Sequence, residues 1–490
     1  MLDTASGSIH CVDEFAYDAI CMYGSAGGGK TAKFLLEKYG DVLAESEVSE
    51  LISEIEDLIC NGMLFSNDII SKTTLPGHPG GSDSRAGEHA FRCFGQFRDK
   101  TGIPSTSKTT LPGYPGSSDA YAGEHDPYCK ALCLNVSHVC NMTCSYCFAG
   151  RGEYGSGGEL MPLETGKRAV DFLIENSGDL KNLDIDFFGG EPLLNWGVVK
   201  GIVDHARRME QRSGKRFRFT LTTNGLLIDD DVIDFANREM HNVVLSLDGR
   251  PWVNDAARKL PDGRGSYSEI LPKIKKLVEA RGGKNYYIRG TFTRDNLDFS
   301  EDILHMAGLG FTELSMEPAV AAPDDAFRLA EDDLPEIGGQ YERLAMEMLK
   351  RRGEGRAFTF YHYKLDLKSG PCIYKRIAGC GAGTGYLAVT PSGELYPCHQ
   401  FVGDKNFLMG DIWRGVENEK LHSEFNGCNM YSRAECIECW ARMYCSGGCA
   451  ANAYRDSGSI NGVYRLGCEM FKKRMECAIM MKAAEALTHN

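Results

Sequence analysis

Three cysteines in one short stretch are the residues of this sequence best suited to chemistry. Cys140, Cys144 and Cys147 follow an apolar run with the spacing C-x3-C-x2-C. Three thiolates hold three irons of a four-iron cluster and leave the fourth iron without a protein ligand. A closed zinc site needs four ligands, and His138 is the one further candidate nearby. The spacing therefore favours a [4Fe–4S] cluster with an iron open to a small molecule.

A second concentration of cysteines lies in the C-terminal part of the chain. Ten of the nineteen cysteines follow residue 370, and these are Cys372, Cys380, Cys398, Cys428, Cys436, Cys439, Cys445, Cys449, Cys468 and Cys477. Zinc ribbons also contain C-x2-C pairs, so these residues alone fit either zinc or iron–sulfur ligation.

The elements that must position these residues follow a regular pattern from residue 131 onward. Helical patterns near 163–176, 194–212, 229–239, 268–281 and 298–308 separate six strand patterns, at 132–136, 183–188, 217–222, 243–247, 286–292 and 312–316. Strands alternating with helices predict a parallel sheet with right-handed crossovers. Six units are too few for a closed eight-stranded barrel, so we expect an α/β fold with an open partial barrel.

Polar, glycine-rich motifs stand at the ends of these strands, where such folds carry their chemistry. They lie at 140–147, 189–192, 222–225 and 246–249, at Arg289 and at 317–318. Gly189 and Gly190 allow a close approach of backbone to a ligand, and the Glu191 carboxylate is suited to an ammonium group. The motifs therefore predict one binding site at this edge of the sheet.

Charge and composition exclude several function classes. The formal charge of −14 argues against DNA or RNA as the main partner. No run of about 18 apolar residues predicts a membrane span, and residues 1–10 lack the build of a signal peptide, so we expect a cytoplasmic protein. Nineteen cysteines in that compartment indicate metal or cluster ligation rather than disulfides.

Two N-terminal features have more than one interpretation. Residues 1–66 predict a small α+β unit with a hairpin-like start, and Gly24–Thr31 fits the phosphate-loop pattern G-x4-G-K-[ST]. That motif needs a preceding strand, whereas residues 15–23 predict a helix, which favours a glycine-rich turn between helices.

A tandem repeat separates this unit from the strand pattern. The segment 71–89 recurs at 107–125, and its Gly, Pro and Ser content predicts a linker. A metal site is the less favoured interpretation of the repeat, and its candidate ligands are His78, His89, Asp119 and His125.

The cysteine loop, the GGEP segment and the six βα units together resemble the radical S-adenosylmethionine (SAM) superfamily. The resemblance implies that Cys140, Cys144 and Cys147 hold a [4Fe–4S] cluster whose open iron binds SAM. It further implies SAM contacts from Tyr146, Gly189, Gly190, Glu191, Pro192, Thr223, Asn224, Ser246 and Arg258.

The cysteine-rich tail resembles the accessory-cluster domain called SPASM. The resemblance implies two auxiliary [4Fe–4S] clusters. Cys436, Cys439, Cys445 and Cys468 would ligate one cluster, and Cys380, Cys398 and Cys449 the other. The second cluster would keep an open iron for a substrate thiol unless Cys372 fills that position, while Cys428 and Cys477 are expected to be buried small residues.

Segments along the chain outside 71–126 look like maturases of the cysteine-rich SCIFF peptides, among them KALCLNVSHVCNMTCSYCFAG and YCSGGCAANAY. The resemblance implies a winged-helix-like unit at 1–70 that binds the precursor's leader, a linker at 71–127, a partial barrel at 128–330, a helical bridge at 331–370 and the SPASM domain at 371–485. The family's first strand is expected to be missing, since the chain starts directly before LDTASG.

The activity implied is formation of thioether cross-links between a precursor cysteine and threonine or another residue. The implied partners are the precursor peptide and a reductant such as ferredoxin or flavodoxin, with no nucleic acid and no membrane. The alternatives are another SPASM modification, such as epimerisation or a carbon–carbon link, a zinc-stapled interaction protein, or a phosphate-loop ATPase in which Lys30 binds phosphate.

Overall fold

The computed structural model describes residues 12–65, 129–155, 157–322, 324–365 and 373–488. The chain divides into two compact units. One comprises Met1–His125, Asp366–Pro371 and Cys436–Cys445, and the other comprises Asp126–Leu365, Cys372–Glu435 and Ser446–Asn490. The repeat at 71–126 and Cys372 lie outside the described residues. Within the described ranges, no helix is long and apolar enough to cross a membrane.

The described part of the N-terminal segment consists of three helices, α1 Glu14–Ala26, α2 Gly28–Tyr39 and α3 Glu45–Cys60. Their apolar faces bury a small core that includes Ala19, Leu35 and Ile55. Asp13 caps α1, because its carboxylate accepts a hydrogen bond from the Ala16 N–H at 2.8 Å. The hairpin-like start falls mostly in residues 1–11, outside the described residues, so the winged-helix interpretation stays a prediction.

The segment that fits the phosphate-loop pattern is a turn between two helices. Residues 24–26 end α1, and α2 begins at Gly28. Gly27 stands between the two helices with a φ of 76°, a conformation that glycine adopts without steric cost. Thr31 is buried, and its hydroxyl donates to the Gly27 carbonyl at 3.0 Å. The phosphate-loop motif needs a strand before the loop, but here a helix leads into it, as the favoured interpretation predicted.

The second unit is built on one eleven-stranded sheet, in the order β11-β10-β9-β8-β1-β2-β3-β4-β5-β6-β7. The six predicted strands are β1 Ala131–Ser137, β2 Asn182–Gly189, β3 Arg216–Thr223, β4 Met240–Ser246, β5 Tyr286–Phe292 and β6 Glu313–Pro318. Each pairs in parallel with the next. This consecutive parallel order confirms the predicted α/β sheet.

Six helices connect these strands, and five of them lie where the sequence predicts them. They are α4 Leu163–Glu175, α5 Trp196–Ser213, α6 Asp230–Glu239, α7 Pro251–Ala257, α8 Tyr267–Arg281 and α9 Phe299–Gly308. The sequence pattern did not predict α7, a short helix that starts at a proline. On β2, Leu183, Ile185 and Phe187 are fully buried, whereas the alternate residues Asp184 and Asp186 are partly exposed. The strands therefore bury one face and keep a polar inner face.

The remaining strands extend the sheet at both edges. They are β7 Thr359–Phe360, β8 Tyr386–Val389, β9 Glu394–Tyr396, β10 Gly410–Asp411 and β11 Gly415–Val416. β8 pairs in parallel with β1 and antiparallel with β9, so the chain after residue 380 adds directly to the strand that precedes Cys140.

The helices after β6 are α10 Leu334–Gly353, α11 Ile373–Ala378, α12 Glu419–Gly427, α13 Ala434–Ile437, α14 Arg442–Cys445, α15 Ala450–Ser457 and α16 Arg465–Thr488. The long helices α10 and α16 pack on each other. The predicted helical bridge at 331–370 corresponds to α10.

Candidate active site

The cysteine loop is fastened to the end of β2 by backbone contacts. The Gly190 N–H donates to the Ser137 carbonyl at 2.7 Å, and the Glu191 N–H donates to the Val139 carbonyl at 2.9 Å. A Cβ atom on Gly190 would lie 2.3 Å from the Val139 carbonyl oxygen. Glycine is therefore required where the strand end meets the residue before Cys140.

The three thiols of this loop lie within electrostatic reach of one another. Burial raises the pKa of Cys140 to about 12, and negative charge on Glu191, Cys144 and Cys147 would raise it further. Burial also raises the pKa of Cys144, whereas the Arg258 charge lowers it. Three partly exposed thiols of one loop, with the Arg258 cation near Cys144, fit a cluster that binds thiolates.

No group of three or more His, Cys, Asp or Glu side chains arranged to hold a metal ion is found within the residues that the structure describes.

The Glu191 carboxylate ties the ends of β2 and β3 together. It accepts hydrogen bonds from the Thr223 hydroxyl at 2.8 Å, the Asn224 N–H at 2.8 Å and the Leu193 N–H at 3.0 Å. Burial raises its pKa to about 7, although these donors act in the opposite direction. The side chain is fully buried. Its carboxylate thus accepts hydrogen bonds from three protein donors, so the predicted contact between Glu191 and an ammonium group stays a prediction.

The Asn224 side chain connects the end of β3 to the cysteine loop. Its side-chain amide donates to the Asn141 side-chain oxygen at 2.8 Å and lies 3.8 Å from the Cys140 sulfur. Asn141 was not among the predicted site residues. The sequence offers no signal for it, because this contact depends on the way β3 ends beside the loop.

Tyr146, Asp248 and Arg258 form a second buried group beside the cysteine loop. The Tyr146 hydroxyl donates to Asp248 Oδ2 at 2.5 Å, and Arg258 Nε lies 3.0 Å from Asp248 Oδ1. The Arg258 guanidinium also lies 5.6 Å from the centre of the Tyr146 ring. The structure therefore brings together two predicted residues through Asp248, which the sequence placed in a strand-end motif without a role.

Ser246 lies at the end of β4, in register with Arg289 on β5, which is itself in register with Ser315 on β6. Residues in register on parallel strands point to the same face of a sheet. Their neighbours Ile288 and Gly290 are buried on the opposite face. The row of Ser246, Arg289 and Ser315 therefore lies on the polar inner face of the partial barrel.

Two residues further along, Glu317 meets a cation from the C-terminal helix. Arg474 Nη2 of α16 lies 3.2 Å from Glu317 Oε2, and Arg474 Nε donates to the Tyr341 hydroxyl at 2.8 Å. Burial would raise the pKa of Glu317, but the charges of His362, Arg474 and Arg289 lower it to about 2. Sequence reasoning missed Arg474, since 157 residues separate the two partners.

Three of the predicted auxiliary ligands are near one another in the second unit. Burial raises the pKa of Cys398 to about 12, and the neighbouring thiols of Cys449 and Cys380 contribute to that rise. The Gln400 side-chain amide lies 3.8 Å from the Cys449 sulfur, and Arg455 holds Gln400 with a hydrogen bond of 2.8 Å. Cys398 thus lies within electrostatic reach of Cys380 and Cys449, and the role of the three as cluster ligands stays a prediction.

The other predicted auxiliary ligands are divided between the two units. Cys436, Cys439 and Cys445 belong to the first unit, where consecutive turns connect them, and Cys468 lies on α16 of the second. Cys477 is buried, as expected. Cys428 is partly exposed and its sulfur lies 3.2 Å from Arg433 Nη2, so it is polar in its contacts rather than an apolar filler.

Comparison with known proteins agrees with this geometry. Residues 134–304, which run from β1 into α9, match the family model described as the Radical SAM superfamily. These residues form a radical SAM domain. The family implies a [4Fe–4S] cluster together with SAM, and the three partly exposed thiols of the 140–147 loop fit such a group.

Related proteins extend the similarity well beyond the radical SAM domain. The radical SAM cyclopropyl synthase TigE of Paramaledivibacter caminithermalis is 23% identical over 376 residues, which cover 70% of this chain and 72% of that protein. The mycofactocin maturase MftC of Mycolicibacterium smegmatis is 27% identical over 348 residues, which cover 68% of this chain and 81% of that protein.

Among solved structures, native anSMEcpe with bound AdoMet and the Kp18Cys peptide superposes with a TM-score of 0.60 at 20% identity. The match covers 72% of this chain and 99% of that one. At this level of identity the likeness shows a shared fold. The chain therefore contains a radical SAM domain at 134–304, and several of the proteins similar to it are maturases by name.

Proposed function

We propose that this enzyme forms thioether cross-links between cysteine and threonine, or another residue, of a cysteine-rich ribosomal peptide. The observation that carries the proposal is the pair of cysteine sets in the second unit. Cys140, Cys144 and Cys147 belong to the radical SAM domain, while Cys380, Cys398 and Cys449 lie on the extension that joins the same sheet through β8. Segments along the chain that resemble SCIFF peptide maturases support this choice of substrate.

The cofactor would supply the radical, and the protein residues position the groups around it. When bound, a reduced [4Fe–4S] cluster and SAM supply a 5′-deoxyadenosyl radical that takes a hydrogen atom from carbon. Glu191 orients Thr223 and Asn224 at the end of β3, and Asp248 holds both Tyr146 and Arg258 beside the loop. These contacts fix the polar groups that hold SAM in place before reaction, which is where an enzyme gains from fixed geometry.

The proposed cross-linking reaction balances in atoms and in electrons. The acceptor carbon loses one hydrogen atom, which ends up on 5′-deoxyadenosine. The cysteine thiol loses its proton, and the new C–S bond leaves one electron over. One electron enters when SAM is cleaved and one leaves when the bond forms, so a ferredoxin or flavodoxin reductant is needed to prime the cycle. Cys380, Cys398 and Cys449 would hold an auxiliary cluster, which would supply a site for the departing electron.

The two cysteine sets make separate predictions. Cys144→Ala is expected to abolish SAM cleavage and product together, because the domain loses its cluster. Cys398→Ala is expected to keep the ability to cleave SAM but to lose cross-linked peptide by at least tenfold. Cys21→Ala, at an exposed position on α1, is the matched control and should retain both. Wild-type cross-linking by Cys398→Ala would refute the role of the second set.

A different peptide modification, carbon–carbon bond formation, is the second candidate function, and one of the relatives supports it. TigE is a cyclopropyl synthase by name, which points to carbon–carbon bond formation as an alternative for this chain. A thioether and a cyclopropane each remove two hydrogens from the peptide, so mass alone does not separate them. Thiol alkylation does, because a thioether removes one alkylatable cysteine for each link.

A further inference from the structure

Tyr154 lies between the two cysteine sets and has an unusual environment. Its side chain is 93% buried, with 7% of its surface exposed. Its hydroxyl has no hydrogen-bond partner among the described residues. A buried hydroxyl without a partner costs stability, so a position of this kind calls for an explanation.

The fold holds Tyr154 in this position despite backbone strain. Its φ is 49°, in the left-handed region that a bulky residue seldom adopts. Its N–H donates to the Ala149 carbonyl at 2.9 Å, and a Cβ on Gly403 would lie 2.4 Å from the Tyr154 carbonyl oxygen. Gly403 follows Cys398 by five residues, so the loop after Cys147 packs directly on the segment after Cys398. Strained residues held by their surroundings occur at functional sites.

The aromatic ring is fixed on two sides. It stacks on His138, with the ring centres 4.8 Å apart, and meets Phe148 edge-on at 6.1 Å. Phe148 in turn lies 5.7 Å from the ring of His399, whose Nδ1 is also buried without a hydrogen-bond partner among the described residues. Both rings that carry a polar atom without a hydrogen-bond partner among the described residues thus contact Phe148, which follows Cys147 in the chain.

Four cysteine thiols lie within electrostatic reach of the phenol. Burial raises the pKa of Tyr154 well above its usual value, and Cys133, Cys147, Cys398 and Cys140 lie near enough to raise it further when charged. Three of these four are predicted cluster ligands from the two different sets. The phenol is therefore neutral, and its buried O–H is a hydrogen-bond donor without a partner among the described residues.

We propose that the Tyr154 hydroxyl donates a hydrogen bond to a sulfur of an iron–sulfur cluster and thereby sets that cluster's reduction potential. A hydrogen bond to cluster sulfur stabilises the reduced, more negative state and raises the potential. Tyr154 is a positioning and tuning residue in this account, since it reaches the chemistry through the cluster. The proposal rests on the radical SAM assignment but not on thioether formation.

The first test measures stability of the full-length protein purified without iron. Tyr154→Phe removes a hydroxyl that lacks a partner, so the melting temperature of the iron-free protein is expected to rise by about 1–3 °C. Tyr363→Phe is the matched control. That tyrosine is also buried, but its hydroxyl donates to the Tyr341 carbonyl at 2.7 Å, so its removal is expected to lower the melting temperature.

The second test measures the clusters of the loaded enzyme by redox titration followed by electron paramagnetic resonance. At a fixed solution potential, Tyr154→Phe is expected to lower the ratio of reduced to oxidised cluster about tenfold for one cluster. This change corresponds to a reduction potential lower by about 59 mV for a one-electron couple. A shift in the signal that responds to added SAM assigns the hydrogen bond to the cluster of the 140–147 loop. A shift in a signal insensitive to SAM assigns it to the cluster of Cys380, Cys398 and Cys449.

The two readouts together decide the matter. Unchanged potentials for all signals would overturn the proposal, as would a fall in the melting temperature of iron-free Tyr154→Phe like that of Tyr363→Phe. Failure to find a thioether in the peptide would leave these readouts intact, so the tuning role and the proposed function fail independently.

Discussion

At the scale of single residues, the site depends on side chains that hold other side chains in place. Glu191, Asp248 and Glu317 are acidic residues at the ends of β2, β4 and β6, and each is bound by donors from a different element. Glu191 and Asp248 are fully buried, whereas Glu317 is partly exposed. Carboxylates taken out of water are stable only when donors compensate for their lost hydration. Their value to the enzyme is a fixed arrangement of Asn224, Arg258 and the polar inner face.

Asp248→Asn tests one of these roles. An amide keeps the shape of the side chain but removes the charge that pairs with the buried Arg258, and breaking a buried pair in this way costs about 3–5 kcal/mol. We expect weaker SAM binding, measured by equilibrium dialysis, and an iron content within about 20% of wild type. Unchanged SAM affinity would show that Tyr146 and Arg258 do not depend on Asp248 for their positions.

The lowered pKa of Glu317 predicts that the free energy of unfolding falls at acidic pH. Burial opposes its charge, but His362, Arg474 and Arg289 lower its folded-state pKa to about 2, below the value of 4.5 for an unperturbed Glu. The unfolded state therefore takes up the proton first as pH falls. The stabilisation is present above about pH 4.5 and is lost as pH falls toward 2.

The free energy of unfolding should therefore separate wild type from Glu317→Gln most widely near pH 6. The difference should narrow as pH falls from 6 to 3, measured by urea unfolding monitored at each pH. A difference that stays constant over this range would contradict the role of the Arg474 pair.

At the scale of elements, strand ends and the loops that follow them assemble the site. The spacing of cysteines and the GGEP segment predicted which strand ends meet, because parallel strands bring their carboxyl ends to one edge. The contact of Gly190 with Val139 shows how tight that meeting is. The sequence could not predict α7 or the Arg474–Glu317 pair, since these depend on how distant segments pack.

Gly190→Ala tests this close approach. The added methyl group would lie 2.3 Å from the Val139 carbonyl oxygen, so the cysteine loop must move away from the end of β2. We expect a loss of about four irons from the reconstituted protein, together with loss of SAM cleavage, while far-ultraviolet circular dichroism stays unchanged.

Gly197→Ala is the control for this substitution. Gly197 lies in α5, and a Cβ there would meet no atom within 4 Å. The variant should keep its iron and its activity and be as stable as wild type or more so, because alanine favours helix. Full iron loading by Gly190→Ala would show that the loop tolerates displacement.

At the scale of the whole molecule, one sheet carries both the radical SAM domain and the first part of the cysteine-rich extension. β1 precedes Cys140 and pairs with β8, which lies between Cys380 and Cys398. The sequence predicted the six strands and both cysteine sets, because periodicity and spacing are local signals. It could not predict that β8 joins β1, since parallel pairing across about 250 residues leaves no local pattern.

The central claim is that the enzyme joins a cysteine sulfur to carbon in a cysteine-rich peptide. The most direct measurement is mass spectrometry, before and after thiol alkylation, of a cysteine-rich SCIFF-type precursor peptide after co-expression with the enzyme. The account predicts a loss of two hydrogens and of one alkylatable thiol for each link, and no such change with Cys144→Ala. A peptide that loses two hydrogens but keeps every thiol, or that keeps its mass, would contradict the account.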